Sequence, residues 1–88
     1  MKNIKEISKI INEFNDEKQV FHFFKELFTE AELMDLSKRW RILKMLNEGY
    51  TQRDIANELK VSLCKVTRGA KIMKDKNAIV TKYLKSVK

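Results

Sequence analysis

The amino-acid sequence predicts an all-α protein with six helices in a single domain, residues 1–88. The chain contains no proline and only two glycines, and Leu, Ile, Lys, Glu and Met are abundant, a composition that favours helices. Apolar side chains recur three or four residues apart along most of the chain, which is the period of an amphipathic helix. Short polar segments separate these patterns, and a chain of this length suits one domain.

The first two helices are predicted over residues 3–16 and 18–27. Isoleucines recur at helical spacing in the first helix, and Asn15 and Asp16 then interrupt the pattern. We expect the second helix to form core or a dimer interface rather than a cofactor pocket, because a short chain buries little surface by itself. Its apolar residues include three closely spaced phenylalanines, Phe21, Phe23 and Phe24.

The third helix is predicted over residues 30–47. Thr29 precedes it as the N-cap, and Glu32 stands three residues later as the capping-box partner. Gly49 ends the helix. The length of this segment suits the central helix of the fold. Its large apolar residues form one long stripe, Leu33, Leu36, Trp40, Leu43, Met45 and Leu46.

Three shorter helices complete the prediction, over residues 52–59, 63–74 and 77–86. Thr51 and Ser62 are the N-caps of the first two, since both hydroxyl residues stand immediately before a helical pattern. A short polar break precedes the last helix. Its apolar face consists of Ile79, Val80, Tyr83 and Leu84.

The fourth and fifth helices carry the apolar spacing of a helix-turn-helix. Ala56 is small enough for the two helices to cross closely, and Leu59, Val61 and Val66 fill the angle between them. The N-terminal part of the second helix is then free to enter a DNA major groove. Lys60 occupies the turn position where glycine is usual, and a left-handed backbone there costs on the order of 1 kcal/mol. Two helices of an ordinary bundle are the alternative interpretation.

The charge distribution indicates a polyanionic partner. The first 50 residues carry equal numbers of acidic and basic side chains, so the whole net charge of +7 lies in residues 51–88. With a helix-turn-helix in that part, double-stranded DNA is the expected partner. We expect Gln52, beside a helix N-terminus, and Lys71 and Lys74 to bind phosphates, which position a protein without reading sequence.

Other exposed residues of the helix-turn-helix are expected to reach the bases. Arg53 can contact a guanine edge or a phosphate, and Leu63 and Cys64 can offer apolar contact to thymine methyl groups. Lys65 and Thr67 can hydrogen-bond to bases or phosphates. The predicted DNA-binding set therefore combines charged, polar and apolar side chains.

Two other classes of protein remain as alternatives. A membrane-surface or protein-interaction module would use the basic sixth helix, with Lys82, Lys85 and Lys88 against anionic lipid. An enzyme is not expected, because His22 is the only histidine and no catalytic set or phosphate loop is visible. A single cysteine, Cys64, allows no internal disulfide and no cysteine-based zinc site. Neither a signal peptide nor a membrane span is visible, so we expect a cytoplasmic protein without a metal.

Several short segments of the chain match one family in their order and spacing. They are Thr29-Glu30, Arg39-x-Arg41-Ile42, Leu46-x-x-Gly49, Gln52-Arg53-Asp54-Ile55, Asn57-Glu58-Leu59 and Thr67-Arg68-Gly69. Through these segments the sequence resembles the Trp repressor family over roughly residues 20–86. The resemblance implies a bacterial transcriptional repressor whose two copies interlock through helices one, two, three and six. A helix-turn-helix at each end of this homodimer would bind a pseudo-palindromic DNA operator.

The resemblance also implies L-tryptophan as a corepressor, bound between the dimer core and the helix-turn-helix. Arg39 and Arg68 would sandwich the indole ring, and Arg68 would also meet the carboxylate, since arginine suits both stacking and charge-assisted hydrogen bonds. Thr29 would stand at the pocket wall, and Gly69 would leave room for the ring. No other cofactor is implied.

Two departures from the family pattern keep a ligand-independent DNA-binding regulator as an alternative. Ile72 aligns with a hydroxyl residue that lies near the ligand's amino group in the family, and isoleucine cannot accept a hydrogen bond. Loss of this hydrogen bond weakens ligand binding by about 1–3 kcal/mol if the ammonium group is left without an acceptor. The connection over residues 49–52 is also one residue shorter, as in a related group of Trp-repressor-like proteins.

Overall fold

A computed structural model describes residues 1–87, which contain helices and no strands. The all-α fold class and the number of helices are thereby confirmed for this range, whereas Lys88 lies outside the described residues. Two compact units form along the chain, the first comprising Met1–Met34 and the second beginning at Asp35. The helices are α1 (Lys2–Glu13), α2 (Glu17–Leu27), α3 (Glu30–Asn47), α4 (Gln52–Leu59), α5 (Leu63–Lys74) and α6 (Ile79–Ser86).

Helix α1 ends at Glu13, and its predicted extension to residue 16 is wrong. Phe14 is already extended, with ψ of 139°, and Asp16 is extended as well. Asp16 uses this backbone to cap α2, where its side chain accepts a hydrogen bond from the Lys18 N–H at 3.0 Å. The capping residue of one helix cannot continue the helix before it, because an N-cap has non-helical dihedral angles.

The first unit leaves much of its apolar surface exposed. Neither α1 nor α2, both inside the described range, contains a buried residue. Phe14 and Phe23 pack edge to face with ring centroids 5.5 Å apart, yet the side chain of Phe21 is 60% exposed. Ile4 and Leu27 are exposed in the same way. A single copy therefore satisfies only part of the apolar pattern of these helices.

Helix α3 begins with the predicted capping box. The Glu32 N–H donates to Thr29 Oγ1 at 3.1 Å, and the Thr29 N–H donates to Glu32 Oε1 at 2.8 Å. At the other end, Gly49 adopts a φ of 97°, which glycine tolerates because it has no Cβ. The capping box and the glycine thus account for the bounds of α3, which are the ones that the sequence predicted.

The core of the second unit lies where α3, α4 and α5 meet. Ile55 and Val66 are completely buried there, beside Ile42 and Met45 of α3. Partly buried side chains complete the cluster, and they include the remaining predicted residues of the helix-turn-helix, Ala56, Leu59 and Val61. The inward direction expected for this apolar set is therefore confirmed.

The turn between α4 and α5 uses the expected left-handed lysine. Lys60 has φ of 55° and ψ of 47°, and it is the one non-glycine residue with positive φ within residues 1–87. The turn closes where the Val61 N–H donates to the Ala56 carbonyl at 3.1 Å. Ser62 then caps α5, accepting from the Lys65 N–H at 3.3 Å.

Helix α6 begins at Ile79 instead of the predicted residue 77. Asp75 folds back to accept a hydrogen bond from the Asn77 N–H at 2.9 Å, a local turn that competes with helix formation. The helix is held to the unit by Thr81, which is 1% exposed and whose hydroxyl donates to the Ile72 carbonyl at 3.0 Å. This contact orders the end of α5 against α6.

Candidate DNA-binding face and cationic cavity

The helix-turn-helix presents the N-terminal part of α5 to solvent. The burial of Ile55 and Val66 anchors the two helices from inside, while Leu63, Cys64 and Lys65 at the start of α5 are exposed. This arrangement leaves the first turns of α5 accessible to a groove of DNA, as the geometry of such motifs requires.

The residues predicted to contact DNA lie on the exposed side of the two helices. An open groove on α5 is lined by Leu63, Cys64, Thr67, Arg68 and Lys71, so apolar and cationic side chains adjoin one another there. Outside this groove, the exposed predicted residues are Arg53, Lys65 and Lys74, and Gln52 is half-buried.

Thr67 and Gln52 form a bridge between the two helices of the motif. Thr67 Oγ1 lies 2.8 Å from Gln52 Oε1 and 3.0 Å from the Leu63 carbonyl. A hydroxyl has one proton to donate, so these two acceptors share it. When Thr67 donates to Gln52, the amide nitrogen of Gln52 remains available as a donor. Thr67 therefore has partners within the motif besides the nucleotide predicted for it.

Lys65 is paired within the protein, to a residue that the sequence interpretation did not single out. Its Nζ lies 3.4 Å from Asp35 Oδ1, and Asp35 Oδ2 lies 3.3 Å from Arg39 Nε. Asp35 thus links α3 to the first turn of α5. The spacing of Asp35 and Arg39, four residues apart on one helix, was a signal for half of this arrangement. The contact of Asp35 with Lys65 could not be predicted in this way, because the two residues are thirty positions apart in the sequence.

The same contacts lower the pKa of Asp35. The hydrogen bond from Lys65 and its positive charge contribute most, Arg39 contributes less, and desolvation opposes them. Both cations favour the ionised carboxylate, so this side chain remains charged at neutral pH. Asp35, Arg39 and Lys65 therefore form a charged cluster in which one carboxylate serves two cations.

A cavity of about 160 Å³ adjoins this cluster between α3 and α5. It is smaller than the ~300–1,000 Å³ of sites for drug-sized ligands, so it suits a small molecule or part of one. The cavity brings together three predicted ligand-binding residues, Arg39, Arg68 and Gly69, with one predicted DNA-binding residue, Lys65. Its remaining lining is apolar and consists of Ile42, Leu43 and Ile72.

Gly69 allows α5 to approach α3 closely beside the cavity. A Cβ at this position would stand 3.0 Å from Ile42 Cγ2 and 3.3 Å from Leu46 Cδ1, which is closer than ordinary packing. The glycine thus has a packing role in addition to the one that the resemblance implies. Thr29 belongs to the first unit, where it caps α3, and its position at a pocket wall stays a prediction.

Within residues 1–87, no group of three or more His, Cys, Asp or Glu side chains could hold a metal ion. None of the helices described is both long and apolar enough to cross a bilayer.

Comparison with known proteins identifies relatives of one kind. The family model described as "Trp repressor protein" matches residues 2–88. Proteins named "Trp operon repressor homolog" from Xylella fastidiosa strains M23, Temecula1 and 9a5c are each 42% identical over 52 residues, which is 58% of this chain. The aligned part spans 56% of these relatives, little more than half their length. No solved structure matches the chain significantly.

Proposed function

Because the chain belongs to the Trp repressor family, we propose that it is a transcriptional repressor that binds operator DNA as a homodimer. The observation that carries this proposal is the helix-turn-helix, in which Ile55 and Val66 are buried while the first turn of α5 is exposed. The name of the Xylella relatives, Trp operon repressor homolog, supports the same role. The positive charge of residues 51–88 supplies the electrostatic attraction to DNA.

The homodimer is supported by the apolar surface of α1 and α2. Exposed side chains such as Ile4, Phe21 and Leu27 would become core if a second copy covered them. Sedimentation equilibrium tests this part of the proposal, because one chain has a mass of 10.5 kDa. A species of twice that mass at micromolar concentration is expected, and a monomer at all accessible concentrations would contradict it.

The DNA interface is proposed to use α5 and the start of α4. Leu63 and Cys64 face the bases, Arg53 contacts a base or a phosphate, and Lys71 and Lys74 contact the backbone. A mobility-shift assay on a selected DNA pool, at two salt concentrations, tests this arrangement. A retained sequence preference at moderate salt is expected. If the preference disappears there, the protein binds DNA only non-specifically.

L-tryptophan is proposed as the corepressor, supported by the position of Arg39 and Arg68 at one cavity. Their guanidinium groups can stack on an aromatic ring and bind a carboxylate. The competing proposal is a ligand-independent regulator. It is favoured by Ile72 in the cavity wall and by the internal pairing of Lys65 with Asp35. Calorimetric titration with L-tryptophan separates them, since tight operator binding without any heat of tryptophan binding would support the regulator without a ligand.

A further inference from the structure

Lys65 belongs to the exposed first turn of α5 but not to the stripe of residues that forms the open groove on this helix. Residues three or four positions apart share one face of a helix, and Lys65 does not have this spacing within the stripe. It lines the side of α5 that faces α3, together with Gly69 and Ile72. The residues of the stripe are Leu63, Cys64, Thr67, Arg68 and Lys71.

Asp35 of α3 holds Lys65 in this direction. Asp35 Oδ1 lies 3.4 Å from Lys65 Nζ, and Asp35 Oδ2 lies 3.3 Å from Arg39 Nε. Lys65 is also the main cause of the lowered pKa of Asp35, which agrees with the direct contact. Among the cations of α4 and α5, all of them within residues 1–87, Lys65 alone is paired with a carboxylate.

A DNA phosphate would compete with Asp35 for the ammonium group of Lys65, because both offer anionic oxygens to the same cation. The side chains of Lys65 and Asp35 are 52% and 43% exposed, and ion pairs that reach solvent contribute little to stability. The pair can therefore be exchanged, and Asp35 would keep its contact with Arg39. A phosphate contact of Lys65 is weakened by the free energy of the ion pair that it replaces.

We propose that Asp35 restrains the DNA affinity of the helix-turn-helix by pairing with Lys65. The inference rests on the proposed repressor function and deepens it, because it concerns the regulation of the same DNA-binding surface. Asp35 is a positioning residue in this scheme, since it acts through Lys65. A phosphate contact carries no sequence information, so the restraint lowers the affinity for all DNA sequences. Weaker sequence-independent binding shortens the time that the protein spends at sites outside its operator.

The test is fluorescence anisotropy of the full chain with two labelled DNA duplexes, one selected from a random pool and one of arbitrary sequence. We expect Asp35→Asn to strengthen binding to both duplexes about two- to fivefold at low salt, because Lys65 is then free to bind a phosphate. The slope of log K against log salt should become steeper by about 0.9, the value for one more neutralised phosphate. An unchanged slope, or weaker binding, would overturn the proposal.

A second comparison isolates the contact with Lys65, because the loss of any negative charge near DNA would also strengthen binding. In a Lys65→Met background, Asp35→Asn should strengthen binding less than about 1.5-fold, since such non-additivity measures the coupling of two residues. Glu58→Gln is the matched control for net charge, because Glu58 is exposed on α4 and has no ion pair within residues 1–87. It should leave the salt slope unchanged. Equal gains from Asp35→Asn with and without Lys65, or from Glu58→Gln, would overturn the restraint.

The outcomes separate this inference from the repressor proposal. If the wild type binds both duplexes equally, the repressor proposal fails, whereas a steeper slope for Asp35→Asn still supports the restraint. If the wild type prefers the selected duplex and Asp35→Asn leaves the slope unchanged, only the restraint fails. Wild-type protein and variants that bind neither duplex would overturn both proposals. Thermal melting of each variant confirms that a change in affinity does not arise from unfolding of the protein.

Discussion

At the scale of single residues, Lys60 has the strained, left-handed backbone that the sequence predicted for it. Its φ of 55° lies in the left-handed region, where a side chain with a Cβ is disfavoured by about 1–2 kcal/mol and glycine is not. The sequence identified the position because a helix-turn-helix usually has glycine there. The folded structure retains the lysine because the neighbouring core, with Ile55 and Val66, determines the path of the turn.

Replacing Lys60 with glycine should therefore stabilise the protein. We expect Lys60→Gly to raise the free energy of unfolding by about 0.5–1 kcal/mol, since relief of the left-handed strain exceeds the extra chain entropy of glycine. Urea denaturation at a fixed protein concentration measures the change. Lys82→Gly, in the interior of α6, should lower the free energy by about 1 kcal/mol. A loss of stability at both positions would contradict the role assigned to the turn.

Asp35 gives a prediction about pH. Its pKa is lowered below the ordinary value of 3.8, chiefly by Lys65. A carboxyl group with a lowered pKa in the folded state contributes stability above its unfolded pKa and loses it as pH falls through the folded value. The stability difference between the wild type and Asp35→Asn should therefore be constant from pH 7 to 5 and shrink below about pH 3.8. Denaturation midpoints measured across this range check it, and a difference that grows on acidification would be inconsistent with the pairing.

At the scale of helices and their contacts, the sequence predicted what depends on neighbouring residues. The capping residues Thr29, Thr51 and Ser62 each accept the expected backbone hydrogen bond, and the three helices they begin have the predicted bounds. The two wrong bounds have local causes as well, because Asp16 and Asp75 use their side chains in a cap and a turn. Aspartate favours both environments, and periodicity of apolar residues does not reveal which one it adopts.

The contact between α3 and α5 could not be predicted from residues that are neighbours in the sequence. Gly69 was predicted as a ligand-binding residue, yet its close approach to Ile42 and Leu46 is a property of how two helices cross. The pairing of Asp35 with Lys65 belongs to the same crossing. Neither feature could be predicted from spacing along the chain, because each depends on the angle and distance between helices.

The closeness of this crossing predicts the effect of a larger residue. Gly69→Val should lower the free energy of unfolding by about 1–3 kcal/mol, because its side chain would overlap Ile42 and Leu46. Chemical denaturation measures the loss. Lys71→Val, on the exposed side of the same helix, should change stability by less than ~0.5 kcal/mol. Equal stability of the two variants would show that α5 can move away from α3 without penalty.

At the scale of the whole molecule, charge distinguishes the proposed roles of residues at the DNA interface. Lys74→Ala should weaken binding to all DNA sequences about equally and reduce the slope of log K against log salt by about 0.9 for each phosphate that is no longer neutralised. Arg53→Ala should relax the preference at one base position by about 1–3 kcal/mol if it contacts a guanine. Fluorescence anisotropy with operator and scrambled DNA at several salt concentrations separates the two. Unchanged salt slopes for Lys74→Ala would exclude its phosphate contact.

The apolar side chains that α1 and α2 leave exposed, among them Ile4, Phe21 and Leu27, also have a consequence for the protein in the cell. If the proposed homodimer forms, a newly synthesised copy would display these side chains until it met another copy, and cellular proteases remove unprotected chains of this kind. Degradation would therefore fall as the number of copies per cell rises. A small increase in synthesis would then produce a disproportionate increase in the amount of protein that survives, so turnover itself would sharpen the genetic response.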